Sequence, residues 1–233
     1  MPWADRVPAI LEAWFPGIRG GEAIANLLFG DVNPSGKTVM TFARSESDWV
    51  YDRVFAPPPS AATPAPGAQA TGGPGGFGGG RGGMAPFDIP YREGLKVGYK
   101  WFDSEKKAPL FAFGHGLSYT TYVYSGLKTA PGKETRVTFT IRNTGTRAGI
   151  EIAQVYATLP DSTNEPPKRL VAFEPVELKA GESKTVTLTI PALHISIFNQ
   201  SRNGWQVSGG DYTFWVGGSS RSLPLSEIVK IAE

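Results

Sequence analysis

The fold class is decided by the stretch Arg136-Val137-Thr138-Phe139-Thr140-Ile141-Arg142. Apolar residues occupy every second position and threonine or arginine stands between them, which is typical of a β-strand with one buried and one solvated face. The same alternation returns in residues 185–190 and, with less contrast, in residues 212–216. Three more segments are candidate strands because they are rich in apolar, largely β-branched or aromatic, residues: 150–159, 170–178 and 193–198. The pattern predicts a mainly β fold.

Turn residues separate these candidate strands. The turn signals are Asn143-Thr144-Gly145, Lys179-Ala180-Gly181-Glu182, Asn203-Gly204 and Gly209-Gly210-Asp211. Short strands at this spacing, with no helical stretch between them, predict an immunoglobulin-like or fibronectin type III-like β-sandwich over residues 122–233. The chain has no cysteine, so the sandwich lacks the disulfide of antibody domains.

The sequence before the sandwich has a different period. Residues 5–14 show helical spacing of apolar side chains, with Asp5 as N-cap and Pro8 in the first turn. A second helix is predicted over residues 22–29, closed by Gly30, and a strand over residues 38–42. The second helix is apolar on all sides and therefore needs neighbours that two helices and one strand do not supply. We expect residues 1–55 to be an incomplete α/β segment, the C-terminal part of a larger domain.

Glycine and proline are concentrated in one stretch between these two parts. Of the 35 residues 56–90, 18 are glycine or proline, and only Arg81 and Asp88 carry charge. Such a composition cannot bury enough apolar surface to offset the entropy of ordering. We expect residues 56–90 to be a linker or insertion and residues 91–121 to be a junction segment.

Composition excludes several function classes. The 23 basic and 21 acidic residues leave a net charge of +2, and no run of lysine or arginine could follow a phosphate backbone, so nucleic acid is not an expected partner. Thiolate chemistry is excluded because cysteine is absent, and the only two histidines, His115 and His194, predict no metal site and no cofactor. No apolar run is long enough to span a bilayer, and the first residues lack the apolar core of a signal peptide, so a membrane is not an expected partner.

Several long motifs, in the same order, resemble the C-terminal part of family 3 glycoside hydrolases, the β-glucosidase and β-xylosidase group. The first part resembles the end of the family's α/β sandwich domain through Trp14-Phe15-Pro16-Gly17, Gly20-Gly21-Glu22-Ala23-Ile24-Ala25 and Leu28-Phe29-Gly30-Asp31-Val32-Asn33-Pro34-Ser35-Gly36-Lys37. The next motifs resemble the segment that joins that domain to the family's C-terminal fibronectin type III-like domain. They are Tyr91-Arg92-Glu93-Gly94, Gly98-Tyr99-Lys100-Trp101-Phe102-Asp103 and Leu110-Phe111-Ala112-Phe113-Gly114-His115-Gly116-Leu117-Ser118-Tyr119-Thr120. Two shorter motifs continue the likeness, Arg169-Leu170-Val171-Ala172-Phe173 and Ala180-Gly181-Glu182-Ser183.

The resemblance implies hydrolysis of β-glycosides with retention, by an aspartate nucleophile and a glutamate acid/base about 5 to 5.5 Å apart. In the family the nucleophile lies on an N-terminal barrel, and the acid/base usually lies earlier in the α/β domain. We therefore expect no catalytic residue in this chain, which would be inactive alone. Its partners would be that barrel and the rest of the α/β domain, with a β-linked oligosaccharide or aryl glycoside as substrate of the complete enzyme. The family also fits a periplasmic or secreted location.

Five polar residues are candidates for a functional site: Asp48, Glu93, Asp103, His115 and His194. Ser47-Asp48-Trp49 matches the tripeptide around the family's nucleophile, but it follows a polar run, so we interpret Asp48 as a loop or helix-capping aspartate. His115 is interpreted as a turn histidine at the domain junction and His194 as a structural histidine in a strand. Glu93 and Asp103 are expected in junction salt links or caps, because no spacing places them on one face.

The glycine- and proline-rich stretch offers the only candidate substrate-binding residues. Phe77 and Arg81 combine an aromatic ring with a guanidinium, which suits a sugar face and its hydroxyls. The sequence Gly73-Pro74-Gly75-Gly76-Phe77-Gly78 matches G-x-G-x-x-G, but no strand precedes it and no helix follows, which argues against a dinucleotide site.

Three functions remain open. The leading hypothesis is the C-terminal scaffold part of a retaining β-glycosidase. The alternatives are a free-standing carbohydrate-binding or adhesion module, for which the six tryptophans and eight tyrosines could supply stacking platforms, and a small subunit of a split glycosidase.

Overall fold

The computed structural model describes residues 1, 3–49 and 93–232. The described part is mainly β, as the alternating sequence predicts. Nine strands follow two helices, α1 (Gly20–Phe29) and α2 (Tyr99–Ser104). The strands are β1 (Tyr122–Ala130), β2 (Thr135–Asn143), β3 (Gly149–Thr158), β4 (Arg169–Leu178), β5 (Ser183–Ile190), β6 (Ile197–Asn199), β7 (Gly204–Gln206), β8 (Gly210–Gly217) and β9 (Leu225–Ile231).

Seven of the strands form a two-sheet sandwich. A three-stranded sheet has the order β1-β2-β5, and a four-stranded sheet has the order β4-β3-β8-β9. All pairs are antiparallel. Strands β6 and β7 form a separate hairpin. A three-plus-four antiparallel arrangement is typical of the immunoglobulin-like and fibronectin type III-like folds.

The core lies between the two sheets and consists of the alternating apolar residues. On β2 the buried apolar residues are Val137, Phe139 and Ile141, with buried Thr135 and Asn143 at the strand ends, and Arg136 and Arg142 are exposed. The facing sheet contributes Val155 of β3 and Phe214 of β8, both with no exposed surface. Because a strand has a period of two, this register places Arg136, Thr138, Thr140 and Arg142 on the face away from that core.

Two sequence predictions in the first part are wrong. Residues 5–14 form no helix: a 3-10 turn spans Ala4–Arg6 and Val7 is extended (φ −123°, ψ 141°). The physical reason is Pro8, because a proline forces the preceding residue away from helical angles. Residues 38–42 form no continuous strand, although Phe42 makes an isolated bridge to Phe111. The helix predicted over residues 22–29 is confirmed as α1, and Gly30 closes it in the left-handed conformation (φ 80°).

Within the sandwich, the predicted strands over residues 136–142, 150–159, 170–178, 185–190 and 212–216 are confirmed as β2, β3, β4, β5 and β8. The strand predicted over residues 193–198 is wrong in its first half, which is a 3-10 helix, Ala192–Ile195. Pro191 starts this turn, and its carbonyl accepts a hydrogen bond from His194 N (2.9 Å). Only the end of the predicted strand is extended, as β6.

Candidate functional site

The turn after α1 fastens the first part of the chain to the sandwich. Asn33 donates from Nδ2 to the carbonyl of Ala148 (2.8 Å), and its Oδ1 accepts from Ser118 Oγ (2.8 Å) and from Tyr119 N (2.7 Å). One short amide therefore joins one site in the sandwich and two in the junction segment, each more than 80 residues away. The Asn-Pro-Ser-Gly-Lys motif acts here as a docking turn.

A largely buried ion pair lies beside this turn. Lys37 Nζ lies 3.1 Å from Glu151 Oε2, and the side chains are 13% and 6% exposed. Lys37 also donates to the carbonyl of Gly116, and Tyr124 donates from its hydroxyl to Glu151 Oε1 (2.8 Å). Burial, with the Glu151 charge as a further cause, raises the pKa of Tyr124, which keeps this hydroxyl a donor. Glu151 is thus held by two partners and is not free to act as an acid or base.

His115 lies at the same junction, as the sequence predicts. Its backbone carbonyl accepts from Thr38 N (2.8 Å), its N–H donates to Thr38 Oγ1 (3.1 Å), and its ring stacks on Phe111 with centroids 5.7 Å apart. Burial, and secondly the nearby Lys37 charge, lowers the pKa of His115. The imidazole therefore packs as a neutral ring at neutral pH.

Helix α2 is fastened by an aspartate. Asp103 is 4% exposed and pairs with Lys168 Nζ (2.6 Å) and with Arg221 (3.0 Å). This bears out the interpretation of Asp103 as a junction salt link. The salt link or cap expected of Glu93 is absent from the described residues: its Oε2 is buried without a hydrogen-bond partner, and only its backbone carbonyl accepts, from Lys96 N (3.0 Å). The Asp103 carboxylate is therefore engaged by two structural partners, Lys168 and Arg221, and is not free to meet a substrate.

Asp48 has the capping role that the sequence indicates. It ends the 3-10 turn Glu46–Asp48, and its Oδ2 accepts from Ser45 N (3.0 Å) in a reciprocal capping box. Its carbonyl accepts from Trp101 Nε1 (2.9 Å), which ties this loop to α2. The Asp48 carboxylate and carbonyl thus both have structural partners.

His194 is structural, but in a turn and not in a strand. Its Nδ1 lies 2.8 Å from the carbonyl of Val171 and so couples the 3-10 turn to strand β4. The predicted substrate-binding residues Phe77 and Arg81 lie outside the described residues, as does the G-x-G-x-x-G sequence at 73–78. They stay predictions.

The first part of the chain exposes most of its apolar side chains. Among residues 3–49 only Gly20 and Thr41 are buried, whereas eleven of the 22 exposed large apolar residues of the described chain lie within residues 3–40. Phe15 and Ile18 are fully exposed, and Phe29 at the end of α1 is 84% exposed. We call this set the apolar surface of residues 3–40; its members are Trp3, Val7, Leu11, Trp14, Phe15, Ile18, Leu28, Phe29, Val32, Val39 and Met40.

The exposure of so many large apolar side chains indicates that another surface covers them. Contiguous apolar surface is normally covered, so side chains of this size on one short segment indicate an interface. The sequence predicted that α1 needs neighbours. It did not predict that residues 7–18 are non-helical and share this exposure, because helical spacing of apolar residues indicates a helix with one buried face.

Other kinds of site find no support in the described residues. Residues 1, 3–49 and 93–232 contain no group of three or more His, Asp or Glu side chains arranged to hold a metal ion. Over the same ranges, no helix combines the length and the apolar character that crossing a membrane requires.

Comparison with known proteins matches two family models to the chain. Residues 1–119 match the glycosyl hydrolase family 3 C-terminal domain, and residues 151–220 match the fibronectin type III-like domain. Among curated proteins, beta-glucosidase B of Emericella nidulans is 36% identical over 229 residues, and thermostable beta-glucosidase B of Acetivibrio thermocellus is 35% identical over 237 residues. The alignments cover 96% and 99% of this chain but 25% and 28% of those proteins.

Solved structures give the same result. The crystal structure of DesR, a β-glucosidase from Streptomyces venezuelae in complex with D-glucose, matches with a TM-score of 0.80 at 35% identity, covering 100% of this chain and 27% of that one. β-Glucosidase 3B from Thermotoga neapolitana matches with a TM-score of 0.79 at 36% identity and 99% coverage, over 29% of its own chain. The chain thus spans about a quarter of the length of the relatives it matches. The family 3 model matches just over half of this chain, and the fibronectin type III-like model matches most of the sandwich that follows. The chain therefore belongs to glycoside hydrolase family 3 and corresponds to its C-terminal region.

Proposed function

We propose that this chain is the C-terminal scaffold part of a retaining β-glycosidase of the β-glucosidase type. The apolar surface of residues 3–40 is the observation that carries the proposal, because it is the surface a scaffold needs in order to pack against the rest of the enzyme. The complete enzyme would act on a β-linked oligosaccharide or aryl glycoside, which is consistent with relatives that are named β-glucosidases.

The acidic residues of the junction support the same conclusion. Asp48 caps a turn, Asp103 pairs with two cations, and Glu151 pairs with Lys37 and Tyr124. A retaining glycosidase needs two carboxyl groups across one sugar, each free to meet the substrate. These three carboxylates are occupied by structural partners, so the catalytic pair would come from the barrel and the preceding α/β elements.

The boundaries that we propose for the parts are residues 1–55 for the end of the α/β domain, 56–90 for the linker or insertion, 91–121 for the junction and 122–233 for the sandwich. Strand β1 begins at Tyr122, which supports the last boundary. Helix α1 and the docking turn support the first part as a unit that lies on the sandwich.

Activity of the purified chain tests the scaffold role. We expect no hydrolysis of a chromogenic aryl β-glucoside by the chain alone, and Asp48→Asn to change nothing. Measurable turnover that Asp48→Asn abolishes would overturn the proposal and make Asp48 the nucleophile.

A further inference from the structure

A groove on the sandwich remains after the junction and the apolar surface are accounted for. It has a volume of about 790 Å³ and follows β4, an edge strand of the four-stranded sheet. Its walls include Val171 and Phe173 of β4, Leu193 and His194 of the 3-10 turn, and Trp205 of β7. Pockets that bind small ligands have volumes of this order.

Aromatic rings are displayed beside this groove. Phe198 and Trp205 stand directly opposite each other in the β6–β7 hairpin, with centroids 5.7 Å apart, and are 48% and 61% exposed. Opposite residues of paired strands share a face, and the neighbouring Ile197 packs on the sandwich core, so both rings point outward. Phe173 across the groove is 61% exposed. The negative π face of such a ring attracts the partly positive C–H groups of a sugar ring.

Trp205 also has an unused donor. Trp101 donates its indole N–H to Asp48 O (2.9 Å) and Trp215 donates to Thr158 Oγ1 (3.0 Å). Within the described ranges, by contrast, no acceptor receives the indole N–H of Trp205. An exposed ring with a free N–H presents an apolar face and a hydrogen-bond donor together, which suits a ligand that is apolar on its faces and hydroxylated at its edges.

The polar groups of the groove favour an uncharged ligand. Arg169 is balanced by Glu165 (2.8 Å) and donates to the carbonyl of Ser196 (3.0 Å). Because the carbonyl of Val171 can only accept, His194 Nδ1 donates the hydrogen bond between them. The other ring nitrogen, Nε2, takes no part in that bond. Among the described residues that line the groove, Glu174 is the one carboxylate. It makes no ion pair within the described residues, and its negative charge disfavours anionic polymers.

Addition of a peptide strand to β4 is a poorer fit. Val171 O is already bonded to His194, and Pro175 has no N–H to donate, so the edge lacks a continuous row of free backbone groups. A hydroxyl-rich ligand needs no such row, because its hydroxyl groups can bond scattered donors and acceptors.

We infer that this groove is a glycan-binding site in which Trp205 stacks on a neutral, β-linked gluco-oligosaccharide. The choice of β-linked glucose rests on the proposed function; the rings and the polar groups rest on the structure alone. The site holds a sugar chain on the sandwich and carries out no chemistry.

Titration of the full 233-residue chain with cellohexaose, followed by calorimetry and tryptophan fluorescence, tests this inference. We expect saturable binding with a Kd on the order of 1 mM or below, weakened about tenfold or more by Trp205→Ala. The matched control is Trp3→Ala, which removes a 43% exposed tryptophan from the apolar surface of residues 3–40 and should leave the Kd unchanged. The far-UV circular dichroism of Trp205→Ala should equal that of the wild type.

Three results would overturn the inference. They are no saturable binding of cellohexaose by the folded chain, equal binding by wild type and Trp205→Ala, and saturation of the groove by an apolar octapeptide with no effect of sugar. Equal binding of the α-linked maltohexaose would contradict the stated linkage. Failure of the proposed function would be seen in hydrolysis assays and would leave these binding results unaffected.

Discussion

At the scale of single residues, the ion pair of Lys37 with Glu151 links the two parts of the chain. Little of either side chain reaches solvent, 13% of Lys37 and 6% of Glu151, and removing one partner of an ion pair held away from water leaves a charge without compensation. The partners lie 114 residues apart in sequence, so nothing in the local pattern around Lys37 could predict this contact. Sequence reasoning found the Asn-Pro-Ser-Gly-Lys turn as a motif, and only the fold gave it a role.

We predict that Lys37→Met lowers the free energy of unfolding by about 3 kcal/mol or more, measured from the urea unfolding transition of the chain. Lys96→Met is the control, because Lys96 and Glu105 are 47% and 37% exposed and 3.4 Å apart, and such a pair contributes about 1 kcal/mol or less. Equal effects of the two substitutions would show that the Lys37 pair does not hold the first part on the sandwich.

At the scale of elements, α1 is fixed to the sandwich at its C-terminus. Gly30 N donates to Leu27 O (3.1 Å), Tyr119 donates from its hydroxyl to the same carbonyl (2.6 Å), and Arg147 donates to Gly30 O (3.1 Å). A Cβ on Gly30 would lie 3.1 Å from an Arg147 nitrogen, in a backbone with φ 80°. The left-handed angle therefore favours glycine, whereas the flexible arginine tip could move by the few tenths of an ångström that a Cβ needs.

Gly30→Ala should destabilise the chain by about 1 to 2 kcal/mol, seen as a lower Tm. Gly21→Ala in the same helix should have no effect or a small gain, up to about 1 kcal/mol, because an added Cβ meets nothing within 4 Å and alanine favours helices. A loss of stability with Gly21→Ala equal to that with Gly30→Ala would contradict this account of the helix end.

An element could be predicted from sequence where its local pattern shows which side chains face the core. Strands β2 and β5 could be predicted because their period of two reports directly which side faces the core. Strand β1 was not predicted from alternation, since a register shift between Ser125 and Lys128, with Gly126 at φ 66°, interrupts its period. Residues 5–14 were misassigned because the apolar spacing was read as a helix, whereas Pro8 prevents helical angles at Val7.

At the scale of the whole molecule, the apolar surface of residues 3–40 distinguishes this chain from an independent sandwich domain. The sandwich buries its own core, whereas the first part buries almost none of its apolar side chains. A soluble domain rarely exposes fully apolar side chains such as Phe15 and Ile18 together on one short segment. The scaffold account therefore predicts that this surface matters for activity only within a complete enzyme.

A chimaera provides the most direct test of the central claim. The C-terminal region of the Acetivibrio thermocellus β-glucosidase that aligns with this chain would be replaced by the chain, and hydrolysis of an aryl β-glucoside would be measured. We predict an active chimaera whose kcat/KM is unchanged by Asp48→Asn and reduced at least about tenfold by Ile18→Asp with Phe29→Asp, because burying two new charges disrupts the interface. Loss of activity on Asp48→Asn, or full activity with both aspartates on the apolar surface, would contradict the account.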